Sequence, residues 1–405
     1  MRDLAAESLS RRRMFKWSGT LGLIGVTAAV ADACAEPPPP PLTTTSTTTT
    51  LPPTTTTTIP LAPDANGVLL PQGFTSRIVA QSGEQVPGTG FTYPWYPDGA
   101  GTFADPQVPG GWYLTVNHEL WLGSVTSMRF APDGTVVSAQ TICSGTYGNC
   151  AGGVTPWGTW LSCEEFGEGR VWECDPSGAN PAQLRSALGT FPHEAAGVAA
   201  DGRVYMTEDK QGGAFYRFTP TTAGDLSAGL LEVATGPTPF GPLTWVEVPD
   251  PSAATTATRL QVPGTLGFDG GEGLDTSGTD VFFSTKGDRR IWRYGTTTGV
   301  LEQRYQCGSG PLTAVDNVWV DDASQCVFVA EDGGNMELVV IRPDNSTDAV
   351  VRFVGQDDSE VTGPTFSPDG SRLFVNSQRA PAGATAQHAG ITYEITGPWD
   401  SLLGR

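Results

Sequence analysis

Histidine is scarce in this 405-residue chain, with His118, His193 and His388 accounting for all of it. Three imidazoles so far apart argue against a histidine-rich zinc site. Basic residues are few as well, 23 Lys+Arg against 43 Asp+Glu, for a formal net charge of −20. That balance argues against nucleic acid and anionic lipid as partners. Helical periodicity is also missing. After residue 62 no stretch keeps a 3.6-residue apolar period for three turns. The uncharged run from Trp17 to Ala31 is too short for a comfortable membrane span.

That run instead completes an export signal. It follows Ser10-Arg11-Arg12-Arg13-Met14-Phe15-Lys16 and leads to the small residues around Ala33-Cys34-Ala35, which makes residues 1–35 the signal. The Arg12-Arg13-x-Phe15-Lys16 pattern points to the twin-arginine route, with an ordinary secretory signal as the alternative. Cys34 stands where a lipoprotein signal places its acylated cysteine, although Ala31 replaces the usual larger apolar residue. Residues 36–60 contain 12 Thr and 8 Pro among 25, a composition that cannot bury a core. Residues 36–61 are therefore expected to be a disordered tether, holding a globular part at 62–405 away from a membrane or wall. The expected location is outside the cytoplasm: periplasm, cell surface or medium. Removing the first 36 residues takes away 5 basic and 4 acidic groups, leaving 18 against 39 and a net charge of −21.

Short β-branched or aromatic runs alternate with Gly- and Asp-containing turns through the rest of the chain. Thr159 to Glu165 is followed by Arg170 to Cys174, Arg203 to Asp209 by Ala214 to Phe218, and Asp280 to Thr285 by Arg290 to Tyr294. Gln325 to Asp332 is followed by Met336 to Ile341, and Ser371 to Asn376 begins a less complete unit. Hairpins repeated at irregular spacing predict the blades of an all-β propeller with insertions, a two-sheet sandwich being the alternative. In a propeller, equivalent strand ends converge on one funnel.

Those strand ends are acidic. Asn117-His118-Glu119, Cys163-Glu164-Glu165, His193-Glu194, Glu208-Asp209, Gly271-Glu272-Gly273, Asp316-Asn317 and Glu331-Asp332 recur in order. One such pair is ordinary turn capping, but a gathered set of like charges needs cations. With so few imidazoles, hard oxygen-seeking ions such as Ca²⁺ or Fe³⁺ suit the donors. Seven cysteines in an exported chain suggest disulfides. Cys163 and Cys174 flank one turn, and Cys307 and Cys326 are placed similarly. Cys150 sits among glycines in Asn149 to Gly158, which suits either an iron-binding thiolate or a disulfide with Cys143.

The run Asn149-Cys150-Ala151-Gly152-Gly153-Val154-Thr155-Pro156-Trp157-Gly158 through Glu165 is similar to the signature of the PhoX-type alkaline phosphatases, an exported bacterial family. Asn117 to Glu119, Phe191 to Glu194, Val204 to Asp209 with Phe215 to Phe218, Asp316-Asn317, Glu331 to Gly333, Phe366 to Gly370 with Leu373 to Asn376, and Ile395 to Asp400 follow in that family's order. The resemblance spans most of residues 65–400.

It implies a six-bladed β-propeller that hydrolyses small phosphomonoesters with a mixed Fe³⁺ and Ca²⁺ cluster, and the expected state is a monomer. Cys150, Glu194 and Glu272 are then the catalytic iron ligands. Glu119, Glu165, Glu208, Asp316, Asn317 and Glu331 serve calcium or the cluster's edge, with Glu164 and Asp209 beside them. The sequence departs from the pattern before Glu272, where the family has Arg-Pro and this chain has Gly270-Gly271. Lys286, Arg289 or Arg290 would then supply the cation that phosphate requires. The alternative is a non-catalytic, calcium-stabilised propeller acting as a tethered binding module at the cell surface.

Overall fold

In the computed structural model, residues 62–308, 310–379 and 390–405 are described. The export signal, the tether, Cys34 and His388 lie outside these residues.

The first complete blade is Pro97–Ala104, Trp112–His118, Gly123–Phe130 and Val136–Thr146. The second is Asn149–Val154, Trp160–Glu164, Val171–Cys174 and Gln183–Leu184. The third has five strands: His193–Val198, Val204–Glu208, Phe215–Thr222, Asp225–Thr235 and Thr244–Glu247. The fourth runs outward through Gly271–Ser277, Asp280–Thr285, Arg290–Gly295 and Val300–Gln306, with Gly241–Pro242 at its edge. The fifth is Val318–Val320, Val327–Ala330, Glu337–Ile341 and Thr347–Phe353, edged by Val68–Leu69. The sixth is Val361–Phe366, Arg372–Ser377 and Ile391–Thr396. Each innermost strand packs on the next, and the sixth packs on the first, so the fold is an all-β six-bladed propeller.

Closure comes from the start of the domain. Thr75–Gln81 pairs antiparallel with Ile391–Thr396, from Thr75 opposite Thr396 to Gln81 opposite Ile391. The hairpins expected from sequence are the middle strands of blades two to six. These strands are apolar on both faces because neighbouring blades cover both, as in Val327–Ala330, where every residue is buried. Between blades five and six, Phe328, Leu338, Val340, Leu373, Val375 and Tyr393 form one buried cluster. The final helix, Trp399–Leu403, seals it by setting Trp399 edge-on against Phe74 and Phe366, with ring centroids 4.6 and 4.8 Å apart. Each such buried aromatic contributes about 1.5–3 kcal/mol.

The cysteine spacing misleads about pairing. All six described cysteines are free thiols. Strand register sets Cys163 opposite Val171 and Cys174 opposite Trp160, so the two point into different apolar clusters. Cys307 and Cys326 are likewise separated. Cys174 instead shares its cluster with Cys143 of blade one and is hydrogen-bonded to that thiol.

Candidate active site

One irregularity repeats around the ring. In blade one the innermost strand pairs Pro97 with His118 and resumes with Ala100 opposite Val116. In blade two the break falls between Asn149 and Gly152, in blade three between His193 and Ala196, and in blade four between Gly271 and Leu274. Blade six breaks between Thr362 and Thr365. An extra residue in one strand of a pair bends it, increases its twist and re-aims a side chain. In blades one to four the residues inside the break begin with Asp98, Cys150, Glu194 and Glu272. In blade five Asp316 and Asn317 precede the inner strand and hydrogen-bond Ala330 through their backbones.

Neighbouring inner strands approach so closely that side chains are excluded at particular points. A Cβ on Gly99 would lie 2.5 Å from the Ala151 Cα, and one on Gly273 would lie 2.4 Å from the Asn317 Cα.

The result is an arc of donor atoms. Asp98, Glu119 and Cys150 form one group with ligand atoms within 4.8 Å of one another. Cys150, Glu165 and Glu194 form a second, and Glu194, Glu272 and Asp316 a third. Shared members link them, and the Cys150 Sγ donates to Glu194 Oε1 at 3.3 Å.

A second ring follows from strand alternation at the end of each second strand. Its first positions are His118, Glu164, Glu208, Thr285, Glu331 and Ser377, and the next positions are Glu119, Glu165, Asp209, Lys286, Asp332 and Gln378. The first set is used structurally. Glu164 accepts from the Tyr147 and Arg170 amides, Glu208 from the Ala214 amide, Tyr216 and Arg259, and Glu331 from the Thr313, Ala314 and Glu337 amides. These three acids, expected from sequence as metal ligands, fall outside the three donor groups. His118 bonds Thr126 and the Trp95 carbonyl, while His193 stacks on Phe191. Burial pushes both imidazoles down to about 3, so they are neutral.

The second set faces the arc. Lys286 Nζ lies 2.5 Å from Glu272 Oε1, 3.6 Å from Asp209 and 3.9 Å from Asp332. Gln378 donates to Asp98 and, at 2.9 Å, to Glu119. Asn317 donates to Asp316 Oδ1 at 2.9 Å and accepts from the Gly363 amide, joining blades five and six. Among the proposed phosphate cations, Lys286 alone reaches the arc. Arg289 donates to the Thr313 carbonyl at 3.4 Å. Arg290 is drawn outward to Asp288 and Gln306, over the Phe240 and Trp292 rings.

Sequence reasoning passed over Asp98, Glu360, Gln378 and Arg379. Asp98 stands in Pro97-Asp98-Gly99, which reads as a turn. Gln378 and Arg379 follow strand Arg372–Ser377 where other blades carry acid pairs, and that alignment was the available signal. Arg379 pairs with Glu360 at 2.6 Å, and its charge is further favoured by Glu119 and Asp332.

Removal from water, reinforced by neighbouring acids, holds Asp98, Glu194 and Asp316 well above the usual carboxylate range and raises the Cys150 thiol. Asp332 is pushed up to about 6 by burial and by Glu360, with Lys286 opposing. Asp98 Oδ1 and Glu194 Oε2 are buried without a hydrogen-bond partner. Crowded acids with unmet oxygens are the electrostatic signature of a cation site. Beside the arc opens a cleft of about 470 Å³ lined by Glu165, Phe166, Asp209, Lys210 and Arg259.

The family model for the alkaline phosphatase PhoX matches residues 128–290 and 276–381. The fold is similar to that of Pseudomonas fluorescens PhoX in complex with vanadate, a transition state analogue, at a TM-score of 0.66 and 18% identity over 82% of this chain and 96% of that one. XC5397 from Xanthomonas campestris, a gluconolactonase, aligns at a TM-score of 0.41 and 16% identity over 75% of this chain and 95% of that one. No curated protein matches the sequence. The chain belongs to the alkaline phosphatase PhoX family, and its class is that of the phosphoric monoester hydrolases.

Proposed function

We propose that this protein hydrolyses small phosphomonoesters at an iron–calcium cluster held in the propeller funnel, and that it acts outside the cytoplasm as a monomer. The observation that supports the reading is the arc of Asp98, Glu119, Cys150, Glu165, Glu194, Glu272 and Asp316, with two buried oxygens lacking partners. The donor set fits the ions. A thiolate flanked by carboxylates suits ferric iron, while carboxylates with an amide oxygen nearby suit calcium. Cys150, Glu165, Glu194 and Glu272 would hold iron; Asp98, Glu119 and Asp316, steadied by Asn317, would hold calcium.

When bound, such ions polarise phosphoryl oxygens and make water nucleophilic near neutral pH, so no serine nucleophile is needed. The protein's own part is positioning and charge. Lys286 stands at Glu272, and Arg379 pairs with Glu360 near Glu119 and Asp332; each would take a non-bridging phosphoryl oxygen. Asp209 and Asp332 hold the Lys286 ammonium over the site. Gln378 fixes the orientation of Asp98 and Glu119. Residues 1–35 would direct export, 36–61 tether, and 62–405 catalyse.

Gly270 favours a second reading, a calcium-stabilised propeller that binds without turnover. A Cβ there would lie 3.1 Å from Asp209 Oδ1 and 3.5 Å from the Lys286 Cβ, so a longer side chain would enter the site. Lys286 occupies that space from the adjacent strand, which supports the catalytic reading instead. The test is hydrolysis of a chromogenic phosphomonoester at mildly alkaline pH with calcium present, alongside iron and calcium quantification. Hydrolysis lost on chelation and restored by the two metals supports the proposal. Protein that holds both metals and hydrolyses no phosphoester selects the second reading.

A further inference from the structure

Three aromatic rings at the rim of the funnel are not used by the chemistry above. Trp121, on the loop after strand Trp112–His118, is 73% exposed, and Leu122 beside it is 69% exposed. Trp121 packs against Tyr147 at 5.3 Å between ring centroids, inclined at 60°, and against Phe166 at 6.4 Å. Tyr147 and Phe166 are 5.7 Å apart at 61°. An exposed tryptophan braced by two half-buried rings, one tilted and one edge-on, offers a face to solvent, and an exposed aromatic beside a binding site suits recognition.

The trio is built on the same short segments as the arc. Glu119 lies two residues before Trp121, and Glu165 immediately before Phe166. Gly148 binds these segments together, donating its amide to the Leu120 carbonyl at 2.7 Å and accepting from the Glu165 amide at 2.8 Å. Two peptide steps put the Trp121 Cα within about 8 Å of the Glu119 Cα. Phe166 and Glu165 also line the cleft beside the arc. The cleft lined by Phe166 and the loop that carries Trp121 both adjoin the arc, through Glu165 and Glu119, so an ester substituent extending from the arc on this side has aromatic faces within reach.

We propose that Trp121, with Tyr147 and Phe166 behind it, forms a stacking shelf for a planar ring in the leaving group, which makes nucleotide-like phosphomonoesters the preferred substrates. The inference rests on the phosphatase reading. Aromatic faces accept heteroaromatic rings without needing a hydrogen-bond pattern, so the shelf selects a ring class rather than one base.

The experiment compares adenosine 5′-monophosphate with ribose 5-phosphate on the metal-loaded protein. The two share the phosphate and the departing hydroxyl, and they differ at the ring. The wild type should show a KM for the nucleotide about tenfold lower, with similar kcat. Trp121→Ala, at an exposed position, should raise the nucleotide KM to that of ribose 5-phosphate and leave the latter unchanged, while Trp121→Phe should recover part of the difference. Equal KM values in the wild type overturn the proposal. So does a rise for both substrates in Trp121→Ala, which would assign the ring to the sugar or to the loop. If neither compound is hydrolysed, the phosphatase reading fails on its own. Calorimetric titration of both compounds then decides the shelf: tighter nucleotide binding that depends on Trp121 supports it, and equal binding overturns it.

Discussion

Cys150 and Glu194 stand on the innermost strands of adjacent blades, each the second residue of its strand, with Sγ and Oε1 3.3 Å apart. Each sits in the same two-residue break in strand pairing, which directs both side chains at one point. The pair belongs to the middle donor group and joins it to the other two, Cys150 being shared with the first and Glu194 with the third. A buried thiol beside acids keeps its proton unless a cation replaces it.

Cys150→Ser tests that point. Serine offers a weaker ligand of similar size, so the fold should survive with a melting temperature within a few degrees of wild type after both proteins are stripped of metal. Iron per chain and turnover should fall together, by about tenfold to a hundredfold. Retention of full iron and activity removes Cys150 from the centre.

Gly273→Ala tests whether the close approach of blades four and five matters. The new methyl would sit 2.4 Å from the Asn317 Cα and 2.6 Å from the Val318 nitrogen, both backbone atoms that cannot step aside. Overpacking of this kind costs about 1–3 kcal/mol. Thermal unfolding should report that loss, and metal content should drop because Glu272 moves away from Asp316. An unchanged melting curve contradicts the packing.

How much of this was legible follows from strand chemistry. The middle strands declared themselves because two covered faces demand apolar runs, and their acidic ends marked the funnel. Inner strands did not, since a crowded axis selects small residues, as in Asn149–Val154 and His193–Val198, that carry little strand signal. The closing strand Thr75–Gln81 has no local mark either, because its partner lies over three hundred residues away. Among the acids, type alone could not separate Glu164 from Glu165. Strand alternation sends one into the turn amides and the other to the arc, and only the register decides which.

Asp275 lies further along the inner strand from Glu272, and its carboxylate accepts from the Thr276 and Val320 amides at 2.8 Å each. Burial outweighs these bonds and raises its pKa to about 7. The unfolded chain releases this proton near the ordinary value of 3.8, whereas the folded chain keeps it to about 7. The contribution of this group therefore weakens the fold progressively as pH rises from about 4 to about 7 and is constant outside that window. Asp275→Asn removes the titration. The difference in melting temperature between variant and wild type, both metal-loaded, should shift in the variant's favour across that window. A pH-independent difference would show that Asp275 ionises normally.

Lys286 and Gly270 together address the phosphate cation. Gly270 has φ near +72°, a conformation that costs another residue roughly 1–2 kcal/mol, and its open face is filled by the Lys286 stem. Lys286→Ala should lower kcat/KM for phosphomonoesters by about a hundredfold, the usual effect of removing one charged donor from a developing oxyanion. Because the substitution takes one positive charge from beside Glu272 and Asp209, metal affinity should be held or increased, so the loss should appear with metal content unchanged. Gly270→Arg in the Lys286→Ala background places a guanidinium on the vacated path. It should recover part of kcat/KM while lowering the melting temperature through backbone strain. Arg379→Ala, beside Glu360, should cost a similar factor. If Lys286→Ala retains full kcat/KM, the lysine serves only to neutralise the acids around it, and Arg379 is left to hold the phosphate.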